Sequence, residues 1–351
     1  MSDLTPVVTT QKRVELEFIR AMAIIAVVFI HTASVIANNL EYTNQASWFV
    51  ITYIDALLRW AVPLFIMVSG TLILHKSEPH ATFLRKRLGR VGLPLLMWLP
   101  LYWVAIAIFS PPLPPLNELL RTVIYQQPYV HLYFLFVMVQ LTLLTPWLRS
   151  VVRSLSRRAL TLLIIFLLYI GFAYQPYTHN VFFVFIPYLG YYLYGFFARE
   201  MTYKSRRNKV AALATIGITA LVMVISQFAV RTSLWRIHGV ENATQIVANL
   251  SPPVILMSLL VFPLFKDPSV VARLTRQINK KWIISLGECS FGIYLIHPIL
   301  QLIQGKFIPN LFVIQTTHAI PMTLLLAAII FFLSWLIVWT MRQVPVLRSL
   351  I

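Results

Sequence analysis

Apolar runs of about 20 residues recur along the whole chain, each long enough to cross a bilayer core as a helix, with short polar gaps between them. We place them at Phe18 to Ile36, Phe49 to Leu74, Val91 to Phe109, Leu132 to Leu148, Ala159 to Tyr174, Val181 to Phe197, Val210 to Val230, Pro252 to Phe265, Trp282 to Ile303 and Ile320 to Trp339. In lipid every backbone polar group must be satisfied within the protein, so such runs predict helices. The expectation is an all-α, polytopic transmembrane bundle of about ten helices, forming a single membrane domain over residues 1–351. The longest gaps run from Pro111 to Tyr129 and from Arg231 to Ser251; the first opens on the turn-like SPPLPPLN and continues as an amphipathic stretch.

Composition closes off the soluble alternatives. Hydrophobic residues make up 59% of the chain and charged residues 11%, where a soluble domain carries roughly a quarter charged residues. No gap can hold a separate soluble domain, so any chemistry belongs within the bundle or at its rim. The lone Cys289 has no intramolecular disulfide partner.

A net charge of +18 raises nucleic-acid binding as a possibility. The placement of the 29 Lys and Arg residues argues against it. With the amino terminus inside, only Arg121, Arg231, Arg236 and Lys306 fall on the far side, and Arg59 lies within a span. That bias is the positive-inside pattern, which predicts both termini in the cytoplasm and a multi-pass protein of the cytoplasmic (inner) membrane. The opening MSDLTPVVTTQKRVELEFIR has no early apolar core with a small-residue cleavage site, so no removable signal peptide is expected.

Ionisable residues within a span are costly, which makes each a functional candidate. In the first span, ELEFIRAMAIIAVVFIHT, Arg20 and His31 are close to three whole turns apart and share one face, about 16 Å apart along the axis. Glu17 sits one turn before Arg20 and can pair with it. His31 reads either as an interhelical hydrogen-bonding residue or as a proton-transfer group near neutral pH. Asp55 and Arg59, four residues apart, read as a structural pair. In RWAVPLFIMVSG, Pro63 predicts a bend, and Ser69 and Gly70 allow close packing or the lining of a cavity. Arg85, Lys86, Arg87 and Arg90 crowd the start of the third span; Arg87 and Arg90 share a helical side and suit bidentate contacts to phosphate. His131 and His297 read as interfacial or capping residues, and Glu288 as a low, partly hydrated one.

The segments ELEFIRAMAIIAVVFIHT, RWAVPLFIMVSG, the Arg87 and Arg90 pair, HLYFLFVMVQLTLLTPWLR and SFGIYLIHP, in that order, resemble the membrane-bound acyltransferase family of type three, in particular its stand-alone glycan-modifying members. Glu17 stands where family members often carry Asp, and Ala21 where they often carry Gly. The resemblance implies an O-acyltransferase that takes an acyl group, acetyl in the first instance, from cytosolic acyl-coenzyme A to a hydroxyl of an extracytoplasmic or lipid-linked glycan. Under that reading His31 is a general base or a transient acyl carrier, assisted by Arg20 and Glu17. Arg87, Arg90, Arg85 and Ser69 hold the donor, acetyl-CoA or another acyl-CoA, and no metal takes part. The competing readings are a transporter or flippase of a polysaccharide or lipid-linked sugar, and a membrane receptor or scaffold.

Overall fold

The computed structural model describes residues 10–112, 114–124, 131–174, 180–232, 243–308 and 310–351, with side chains from Val14 onward. Among them the regular elements are helical: α1 (Thr10–Ala37), α2 (Gln45–Leu58), α3 (Ala61–Ile73), α4 (His80–Phe109), α5 (Leu116–Ile124), α6 (Tyr133–Ser154), α7 (Arg157–Tyr174), α8 (Leu189–Phe197), α9 (Arg206–Arg231), α10 (Pro252–Phe265), α11 (Pro268–Leu274), α12 (Lys280–Phe307), α13 (Leu311–Thr317), α14 (Ala319–Met341) and α15 (Pro345–Arg348). Nine stretches among the described residues are long and apolar enough to cross a bilayer, and each falls on a predicted span. The chain is a polytopic helical membrane protein. Its outer surface displays large apolar side chains such as Leu96, Trp147, Leu162 and Ile218, the face that lipid requires.

Two predicted spans take a different form, each for a local reason. The run from Phe49 to Leu74 is two helices, α2 and α3, separated at Arg59 and Trp60. Pro63 lacks an N–H and its ring collides with the carbonyl four residues back, that of Arg59, which favours the break seen there. The run from Val181 to Phe197 is turns, then a 3-10 turn at Ile186–Tyr188, then the nine residues of α8. Pro187 interrupts the hydrogen bonding, and glycines bring the segment into backbone contact with its neighbours. A Cβ on Gly171 would lie 2.5 Å from the Pro187 carbonyl oxygen, and one on Gly195 only 2.0 Å from that of Met67. The same distance separates a Cβ on Gly70 from the Tyr192 carbonyl. α3 and α8 therefore meet through small residues, as membrane helices do where no hydrophobic effect drives them together, and the Thr71 hydroxyl bonds the Gly195 carbonyl at 2.6 Å.

The long gaps are only partly described: 113, 125–130 and 233–242 lie outside the described residues. The amphipathic stretch after the prolines is α5. An element the pattern did not reveal is α13, a short helix whose buried Gln315 donates to the Thr32 carbonyl at 3.0 Å and to the Thr323 hydroxyl at 3.3 Å.

α1 stands at the centre, packed on α2, α3, α12 and α14. Ile19, Ala23, Ile24, Ala33 and Ile36 are fully buried along it. Its seam with α12 is the most extensive helix pairing among the described residues, and Gly287 of α12 makes this close contact possible: a Cβ there would lie 2.5 Å from the Glu17 carbonyl oxygen.

Candidate functional site

The α1–α12 seam has two chemically different ends. At the end where α1, α4 and α12 begin, here called the basic end, a cavity of about 730 Å³ is enclosed by residues of α1, α3, α4, α6, α12 and the segment after α14. Arg20, Arg87, Arg90, Arg342 and Arg348 line it, against one acidic side chain, Glu288. Glu288 is already engaged, because Arg342 pairs with it at 2.7 Å and also reaches the Cys289 sulfur at 3.3 Å. Arg20 bonds Glu17 at 2.9 Å; the second Glu17 oxygen is buried with no partner among the described residues. A cavity with this surplus of guanidinium groups is built to hold a polyanion, since the planar fork of Arg matches phosphate oxygens in pairs.

α4 presents Arg87 and Arg90, three residues apart, to this cavity, as their spacing predicted. Arg85 is not brought to the site: two residues from Arg87 it points to the other side of the helix, exposed and outside the lining. Ser69 does line the cavity; its hydroxyl donates to the Phe65 carbonyl at 3.0 Å, so toward the cavity it can only accept. The start of α4 is held in place by Arg149 of α6, which is 3% exposed. Its guanidinium donates to the Ile73 carbonyl at 3.1 and 3.3 Å, pairs with Glu78 at 3.5 Å and stacks on Phe83 at 4.2 Å. One side chain thus fixes the end of α3, the connecting loop and the first turns of α4 together.

The segment after α14 was not singled out by the sequence, where its basic residues count only toward the cytoplasmic Lys and Arg bias. In the structure Pro345, Arg348, Ser349 and Ile351 form part of the cavity wall, and the Trp98 indole secures them by donating to the Leu350 carbonyl at 2.8 Å. Arg342 and Arg348 carried no sequence signal that would separate them from topogenic charge.

Along the seam the cavity lining ends at Ser290, Phe134 and Tyr294, and His31 is not part of it. Beyond Tyr294 three imidazoles converge. The ring of His31 lies 5.2 Å from that of His297, which lies 5.9 Å from that of His131. His297 is fully buried and His131 is 2% exposed. Tyr102 and Tyr294 pack edge-on against His131 at 4.9 and 5.3 Å, and the Tyr294 hydroxyl donates to the His131 carbonyl. His131 and His297, read from sequence as interfacial residues, are therefore inside the bundle beside His31. Among the described residues, no three His, Cys, Asp or Glu side chains are arranged to hold a metal ion.

Arg20 and His31 both face α12, so the shared face read from their spacing is present. The Asp55–Arg59 pair is present too, Arg59 donating twice to one Asp55 oxygen at 2.6 and 2.9 Å, with Asp55 fully buried.

Fold and site together define a polytopic membrane protein with a cationic cavity and, further along the same seam, three imidazoles of which His131 and His297 are buried. A family model described as an acyltransferase domain matches residues 13–339, nearly the whole chain, and the chain belongs to this acyltransferase 3 family. No curated protein and no solved structure matches it. Family membership makes the chain a membrane acyltransferase and removes the reason for a transporter or receptor reading.

Proposed function

We propose that this protein is an O-acyltransferase of the inner membrane, with both termini cytoplasmic, that moves an acyl group from cytosolic acyl-coenzyme A to a hydroxyl of an extracytoplasmic or lipid-linked glycan. The observation that carries this reading is the cavity itself: five guanidinium groups surround one already-paired carboxylate, on the same seam that leads to His31. The phosphates of a coenzyme A donor meet Arg87, Arg90 and Arg20 there, and the thioester arm extends along α12 toward Tyr294. The basic end is the cytoplasmic one, in keeping with the Lys and Arg bias along the chain.

In this reading His31 is the general base. As a base it meets the acceptor hydroxyl arriving from the side opposite the donor cavity. The hydroxyl gives its proton to His31 as its oxygen attacks the thioester carbon; the carbon–sulfur bond breaks, and the departing thiolate takes that proton from the His31 imidazolium and leaves as the thiol, which restores the neutral base. Arg20, oriented by Glu17, supports the donor rather than the proton transfer.

The test is incubation of purified protein, in detergent or nanodiscs, with radiolabelled acetyl-coenzyme A and, in turn, succinyl-coenzyme A. Release of free thiol, with label passing to an added glycan, supports the reading. No binding and no turnover of either thioester overturns the donor assignment.

A further inference from the structure

The His297 imidazole has a defined hydrogen-bonding state. Its Nδ1 lies 3.0 Å from the Ile293 carbonyl oxygen, one turn back on α12. A carbonyl can only accept, so Nδ1 carries the proton and Nε2 of the neutral ring is a lone-pair acceptor. That Nε2 is buried and has no partner among the described residues. An unpartnered acceptor in a dry interior costs free energy, which makes it a site awaiting a donor. The nearest imidazole is His31, with ring centroids 5.2 Å apart and planes inclined by 51°. At that separation a turn of the His31 ring about its own side-chain bonds brings an N–H to His297 Nε2 at ordinary hydrogen-bond length.

We propose that His297 is the positioning residue for His31. Its Nε2 accepts the N–H of His31, which fixes the His31 tautomer and turns the other nitrogen, as a lone pair, toward the acceptor hydroxyl. When His31 takes the hydroxyl proton, the same contact becomes a charge-assisted hydrogen bond to an imidazolium, stronger than the neutral one. The arrangement does with a neutral imidazole what a carboxylate does in a serine protease triad, and avoids placing a bare negative charge in the membrane interior. This inference rests on the general-base reading of His31.

The groups facing the pair come from several elements: Arg59 after α2, Tyr102 on α4, His131 before α6, and Tyr294 on α12 itself. Of these Arg59 is the permanent charge, and Asp55 already engages it through two hydrogen bonds.

Two measurements test the proposal. First, steady-state kinetics compare wild type, His297→Leu and His297→Gln, the Gln carboxamide oxygen standing near the place of Nε2. We expect His297→Leu to lower kcat by about 10- to 100-fold, the weight of one hydrogen bond to a charged group, with the KM for acyl-coenzyme A unchanged and the pH profile of kcat displaced. His297→Gln recovers at least part of the rate. Wild-type kcat in His297→Leu overturns the proposal, as does an equal loss in both variants accompanied by a raised donor KM, the mark of a merely structural residue. Second, nitrogen-15 NMR of histidine-labelled protein reads the His31 tautomer without turnover, the signal being assigned by its disappearance in His31→Gln. One tautomer in wild type and in His297→Gln, but a mixture in His297→Leu, supports the contact; identical His31 shifts in all three overturn it. Should the wild type fail to turn over any acyl-coenzyme A, the functional reading fails and the NMR result still decides this one.

Discussion

The two ends of the α1–α12 seam solve the problem of charge in a membrane in opposite ways. At the basic end five guanidinium groups share a cavity with one engaged carboxylate, and solvent or a polyanion can compensate them. At the other end three imidazoles pack ring to ring beside Tyr102 and Tyr294, and the permanent charge among the groups facing them, Arg59, is paired with Asp55. An imidazole can be buried neutral at little cost, and a guanidinium cannot. One helix pair can therefore present permanent charge for binding and a neutral, proton-accepting group for chemistry, kept apart by the length of α1 between Arg20 and His31.

The comparison predicts that substitutions at the two ends affect different kinetic parameters. The largest effect belongs to His31→Ala. Loss of a general base lowers kcat by about 100- to 10,000-fold, with the donor KM and the melting temperature close to wild type because the cavity and the core around it are untouched. A variant that keeps normal turnover would remove His31 from the chemistry. Arg87→Ala and Arg90→Ala come next and act on binding: each is expected to raise the donor KM by about 10- to 100-fold, one charge-assisted contact apiece, with kcat little changed. Arg85→Ala is the internal control, since Arg85 points away from the cavity. A KM effect of Arg85→Ala equal to the other two would mean that bulk positive charge, and not the cavity, attracts the donor.

A stability measurement separates both ends from the scaffold. Gly195→Ala places a Cβ about where the Met67 carbonyl oxygen stands, 2.0 Å away on backbone that cannot yield cheaply. Overpacking of this kind costs about 1 to 3 kcal/mol or more and should appear as a lower melting temperature, with kcat and KM per folded molecule nearly preserved. If Gly195→Ala instead abolished kcat without lowering the melting temperature, the α3–α8 contact would belong to the catalytic apparatus.

Much of this fold was legible because lipid imposes a simple code: long apolar runs must be helices, and nine of the ten predicted spans coincide with stretches long and apolar enough to cross a bilayer. The break inside one of these and the irregular form of the tenth were decided by side-chain geometry that a hydropathy pattern does not resolve. Pro63 splits a span through its effect on the carbonyl of Arg59, and Gly171 and Gly195 admit backbones at distances no periodicity reveals. At the site, the first-span stripe of Glu17, Arg20 and His31 and the pairing of Arg87 with Arg90 could be read because each lies within one helix, where spacing fixes direction. The convergence of His131 and His297 on His31, and the folding of Arg348 back onto the cavity, join residues on elements far apart along the chain. Helical spacing says nothing about such meetings.

Ser69 offers the finest cut between the two ends. It lies on the cavity wall, but its proton is committed to the Phe65 carbonyl, so toward a donor it can only accept a hydrogen bond. Phosphate oxygens are acceptors themselves and gain nothing from it; the amide N–H groups of a pantetheine arm do. Ser69→Ala should therefore raise the donor KM by a modest factor, about 5-fold for one neutral hydrogen bond, and the effect should survive high salt. The Arg87 and Arg90 effects should shrink as ionic strength rises, because salt screens charge and leaves a neutral contact largely unaffected. Kinetics of the three variants in low and high salt would show whether the phosphates and the arm occupy separate walls of the cavity. A Ser69→Ala effect that vanished in salt along with the arginine effects would place the hydroxyl in the phosphate set instead.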